Sequence, residues 1–146
     1  MCHQAGYPSG HAGKRPDRVN ERDLALRRRI LESFAATGGP GEVADPEGLR
    51  SLAAQHVVAL DEHGRVRMAH PFAAHTEGAR VDAGDRTWWG NCAWDGLGIV
   101  AALGLADATV TAQGTTLEVR AGEVRGDAVF HVLLPAAQWW DDIGFT

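Results

Sequence analysis

Apolar positions recur at helical spacing early in the chain, then alternate briefly, return to helical spacing near residue 92, and alternate again to the end. Residues 1–19 show neither pattern and carry Gly6, Pro8, Gly10, Gly13 and Pro16, so they read as a flexible tail. Asn20 offers an N-cap, with Asp23 three residues on to complement the exposed amides. Leu24, Ile30, Leu31 and Phe34 then mark one face of a helix, and Arg27, Arg28 and Arg29 fall mostly on the other. The run Thr37-Gly38-Gly39-Pro40-Gly41 stops it. Asp45-Pro46 opens a second helix in the order cap then proline, followed at helical spacing by Leu49, Leu52, Ala53 and His56.

Residues 57–60 and 65–68 read as two strands around a turn at 61–64. Two helices and a hairpin predict a winged-helix-like module over residues 20–75. Pro71 imposes an extended conformation on its neighbour, and His70 and His75 read as solvent-facing loop histidines. Residues 81–86 form a strand end and a turn. Asn91 is placed to cap a helix from Cys92 to about Leu103, with Leu97, Val100 and Leu103, and Ile99 beside them, as its buried side. Beyond Gly104, residues 108–112, 115–120 and 127–134 alternate or run apolar, punctuated by Gly114, Gly122 and Gly126. They predict antiparallel strands joined by short turns. Pro135 ends the last of them, and 136–142 reads as a short aromatic-rich helix. The fold class expected is α+β: the winged-helix-like module, then a helix and an antiparallel β-rich half over 76–146. The abrupt end after an aromatic segment predicts that this second region is incomplete at its C-terminus.

Composition narrows the setting. A chain of 146 residues, 45% hydrophobic and 23% charged, is the size of one domain or two small ones and can build a core without disulfides. The net charge of -5 argues against a general nucleic-acid binder. The second helix agrees, setting Arg50 alone against Asp45 and Glu47, too little positive charge to grip phosphates. Two cysteines, Cys2 and Cys92, make no disulfide framework. The N-terminus has no apolar core of a secretory signal, and no apolar run reaches membrane-spanning length. A reducing, cytoplasmic location without a membrane partner is the expectation.

Candidate chemistry gathers at Trp88-Trp89-Gly90-Asn91-Cys92-Ala93-Trp94-Asp95, which holds three of the five tryptophans. On a helix, Cys92 and Asp95 lie one turn apart on one face. A helix N-terminus favours thiolate and lowers a cysteine pKa. Asp95 opposes that shift by its charge, but it can receive and deliver the proton that Cys92 loses. The plainer reading makes Cys92 a small buried hydrophobe and Asp95 a helix-surface acid.

On residues 89–99, Trp-Gly-Asn-Cys-Ala-Trp-Asp-Gly-Leu-Gly-Ile, the chain resembles the alkylmercury (organomercurial) lyases. The preceding winged-helix-like region supports the resemblance, as does Val132-Leu133-Leu134-Pro135 running into 139–146, so that it covers about residues 22–146. It implies protonolysis of carbon–mercury bonds in mercury resistance, without an added cofactor. Cys92 would attack and bind mercury, the substrate and product metal, and Asp95 would carry the proton to the departing carbon. Trp88, Trp89 and Trp94 would wall the substrate pocket. External thiols would remove the product, and a mercury-accepting thiol or reductase would be the partner. The family's second mercury-binding cysteine has no counterpart here, because no cysteine follows Cys92. That absence implies mercury binding with poor turnover. Two other readings stand beside it: a non-catalytic mercury- or thiol-sensing winged-helix regulator, and a Cys–His enzyme using His131 or His75.

Overall fold

Cap chemistry fixes where the first helices begin. In the computed structural model, which describes residues 20–127 and Val129, α1 spans Glu21–Thr37 and α2 spans Pro46–Ala54. The Asn20 side chain accepts from the Asp23 amide at 2.8 Å, and Asp45 accepts from the Gly48 amide at 2.9 Å. Gly38 ends α1 in the left-handed region at φ 79°, where a side chain would be strained and would also crowd the Thr87 carbonyl. The tail at 1–19 with Cys2, most of the expected strand 127–134 with His131, and the aromatic segment 136–146 lie outside the described residues.

The α1 face differs from the expected one. Leu26, Ile30 and Phe34 are buried and Leu24 is exposed. Asp23 is buried as well, where it accepts hydrogen bonds from Ser51 Oγ (2.7 Å) and Gln55 Nε2 (2.9 Å) of the α2 region. Paired polar groups at this contact turn the helix so that Leu26, rather than Leu24, enters the core.

The chain then folds into two antiparallel sheets, so the molecule is α+β. Strands β1 (Ala59–Leu60), β2 (Val66–Ala69) and β3 (Phe72–Ala73) form the first, in that order. Asp61 shapes the β1–β2 turn by accepting the amides of His63 and Arg65, both at 2.9 Å. The second sheet has the order β5-β4-β6-β7-β8, from β4 (Ala79–Ala83), β5 (Arg86–Gly90), β6 (Ala108–Ala112), β7 (Thr115–Arg120) and β8 (Glu123–Arg125). Between β5 and β6 the chain makes α3 (Ala93–Leu103), which packs on β4, β5 and β6. Strands β3, β5 and β8 were not expected from the sequence, and β3 and β8 are too short to show alternation.

Buried side chains from both sheets and all of the helices form one cluster, from Leu26 to Val119. Phe34 is fully buried and stacks on Phe72 with ring centroids 5.5 Å apart. Phe34→Ala is expected to cost about 3–5 kcal/mol, as a large-to-small change in a packed core does. A urea-unfolding midpoint unchanged from wild type would contradict that placement. No helix of the described residues is long and apolar enough to cross a membrane.

Candidate functional site

Cys92 lies at the junction of β5 and α3, one residue past the expected cap. The N-cap is Cys92 itself rather than Asn91, and the helix starts at Ala93. Cysteine and aspartate here form a capping box. The Asp95 carboxylate accepts from the Cys92 amide at 3.2 Å, while the sulfur faces the backbone amides of Trp94 and Asp95. The same oxygen, Oδ2, lies 3.5 Å from Cys92 Sγ. Asp95 is not a surface acid: it is 5% exposed. The inward face of α3 is Asp95, Gly96, Ile99 and Val100, with Leu97 and Leu103 only partly buried.

Glycines admit this arrangement. A Cβ on Gly96 would sit 2.5 Å from Val110 Cγ1, so only glycine lets α3 lie this close to the sheet. A Cβ on Gly90 would come within 2.8 Å of Asp95 Cβ. Gly98, one turn beyond Asp95, faces Pro71 of the β2–β3 turn, 3.1 Å from where its Cβ would be. That turn brings to the site a histidine expected to face solvent. His70 Nδ1 lies 2.8 Å from Asp95 Oδ1. The histidine side chain is still 67% exposed, against 7% for that of Asp95. No local pattern could have found it, because the contact joins positions 25 residues apart through the packing of a turn on a helix.

Burial, rather than the helix end, dominates the electrostatics at Cys92. Burial pushes the Cys92 thiol above its ordinary value, and the Asp95 charge adds to this. The amides of Asp95 and Trp94 pull the other way, with less effect than burial. Cys92 therefore rests as a thiol at neutral pH, with its proton beside a carboxylate oxygen. His70 is raised above 6.5, chiefly by its hydrogen bond to Asp95, although burial and the Arg27 charge oppose the rise.

His70 thus gains a partner on folding. Its stabilising contribution is complete below the unfolded value near 6.5 and is lost as pH rises through the higher folded value. In Asp95→Asn the imidazole should titrate at a lower pH than in wild type, as read from its ring C–H resonances by NMR. Equal titration in both proteins would contradict the pairing.

The three tryptophans expected to wall one pocket differ in their surroundings. Trp88 is 2% exposed and belongs to the core, donating from Nε1 to the Ala35 carbonyl at 3.2 Å under the Arg86 guanidinium. Trp89 follows it on the strand and so faces the other side of the sheet. Trp94, in the first turn of α3, is 61% exposed. Trp88 is a core residue with no open surface to offer a substrate. His75 lines an open hollow of about 710 Å³ with Val43, Leu49, Asp61, Arg65 and Arg67. Both ring nitrogens of His75 are buried and have no hydrogen-bond partner among the described residues.

Among the described residues no cluster of three or more His, Cys, Asp and Glu side chains could hold a resident metal ion. Comparison with known proteins adds no assignment, since no protein-family profile, curated protein or solved structure matches the chain.

Proposed function

We propose that the chain is an organomercurial lyase-like protein that cleaves carbon–mercury bonds by protonolysis. The observation that supports this most is the thiol–carboxylate pair, with Cys92 Sγ 3.5 Å from Oδ2 of a carboxylate buried at a helix N-terminus. A soft metal bound to carbon prefers sulfur to oxygen or nitrogen ligands. As the Cys92 sulfur–mercury bond forms, the S–H proton passes to Asp95 Oδ2 and the former anionic ligand of mercury leaves. Asp95 then gives that proton to the carbon, and the carbon–mercury bonding pair becomes the new C–H bond. Hydrocarbon departs, Asp95 is a carboxylate again, and mercury(II) stays on Cys92. External thiols then take the metal: one thiolate occupies its second position, and a further thiol displaces Cys92 and returns its proton. A mercury-accepting thiol or reductase would draw the metal onward.

A resting thiol suits this sequence better than a resting thiolate, because it brings the proton that the carbon needs. A cysteine hydrolase would need a histidine on sulfur, whereas His70 bonds Asp95 instead. A sensing thiol has no use for a buried proton carrier, and α2 sets Arg50 alone against Glu47 within its span. We read the two helices and three-stranded sheet as a winged-helix-like module that frames the site without binding DNA, and the location as cytoplasmic.

The test is direct. With phenylmercuric acetate and excess small thiol, benzene should accumulate in the headspace with protein present and at background rate without it. Absence of both benzene and a mercury adduct on Cys92, by peptide mass spectrometry, would overturn the reading.

A further inference from the structure

We propose that His70 is a positioning residue of this site, which holds Oδ1 of Asp95 and so turns Oδ2 of that side chain toward the Cys92 thiol. The proposal rests on the lyase reading for its chemistry but on independent contacts for its geometry. A carboxylate 5% exposed is costly to keep charged without a partner. Asp95 divides its two oxygens: Oδ1 takes the His70 Nδ1–H at 2.8 Å, and Oδ2 takes the Cys92 amide and faces the sulfur. Losing the first contact frees the carboxylate to rotate away from the second.

The mostly exposed imidazole exchanges protons with solvent, while its Nδ1 reaches a group that solvent barely touches. The charged groups bearing on it are Asp95 from α3, which favours the imidazolium, and Arg27 from α1, which disfavours it.

The imidazolium acts on both halves of the reaction without itself giving up a proton. At rest its hydrogen bond to Oδ1 fixes Oδ2 opposite the sulfur, where it can accept the thiol proton. Once that proton sits on Oδ2, the adjacent positive charge favours its transfer to carbon. The proton count is unchanged, because the hydrogen that ends on carbon is the one that left sulfur.

Two substitutions separate charge from position. His70→Asn can keep an N–H donor toward Oδ1 but cannot carry charge; His70→Phe removes both. In wild type, kcat for benzene release should fall as pH rises through the His70 titration. In His70→Asn that limb should vanish and kcat at its acid end should drop about tenfold, with KM for phenylmercury little changed. His70→Phe should fall further. A wild-type pH limb retained in His70→Asn would overturn the proposal.

If wild type releases no benzene, the lyase reading fails and the geometric claim is read separately from iodoacetamide alkylation of Cys92, followed at peptide level. Its rate–pH profile should follow two ionisations in wild type and one in His70→Asn. Coincident profiles would overturn the His70 assignment whatever the reaction proves to be.

Discussion

Cys92→Ser should abolish carbon–mercury cleavage, lowering benzene release by roughly 10⁴-fold or more, as removal of an attacking group does. The reason is ligand chemistry. A hydroxyl is a hard, neutral donor with little affinity for mercury, and its proton is far harder to lose than a thiol's. Folding should survive the change. Cys92 is the N-cap of α3, and serine is among the preferred residues at that position. The unfolding midpoint should therefore stay level or rise slightly while activity disappears. Residual cleavage above about a hundredth of the wild-type rate would point to a different mercury-binding thiol and remove Cys92 from its role.

Asp95→Asn should leave mercury capture largely intact and slow hydrocarbon release by about 10²–10⁴-fold, the range that a positioned proton carrier contributes. An amide can still accept the Cys92 N–H, so the start of α3 is kept. It cannot take the thiol proton or give it to carbon. The variant should accumulate protein still carrying the phenylmercury group, which intact-mass measurement distinguishes from protein carrying bare mercury. Stability should drop by about 1–3 kcal/mol, because the charged acceptor shared by His70 and Cys92 is gone. Equal rates of capture and release in this variant and wild type would exclude Asp95 as the proton carrier.

Local signals in the chain specified much of this arrangement. Asn20 and Asp45 marked where α1 and α2 begin, and Gly38 marked where α1 ends, because caps and left-handed stops are written within a few residues. Strands β6 and β7 were legible from alternation, and Cys92 and Asp95 from their spacing on one helical face. What was not legible depends on contacts between distant segments. The phase of α1 is set by Asp23 meeting Ser51 and Gln55, so that Leu26 is buried and Leu24, expected on the buried face, is exposed. The burial of Asp95 and the approach of His70 depend on Gly90, Gly96 and Gly98 letting a strand, the sheet and a turn close around one helix. Whether burial, the helix end or Asp95 governs the Cys92 thiol is open in the sequence, because burial depends on the same contacts between distant segments.

The last turn of α1 carries no basic residue of its own. Its Ala35 and Ala36 carbonyls are instead met by the Arg86 guanidinium, and Ala35 also by the Trp88 indole, both from the strand that leads into Cys92. The thiol is therefore tethered to a helix more than fifty positions earlier in the chain. For protein engineering, this makes the first half part of the reactive centre's foundation rather than an exchangeable cassette. A graft of residues 76–127 onto another scaffold would carry the thiol and the acid across, yet leave behind the histidine and the helix end that hold them in register.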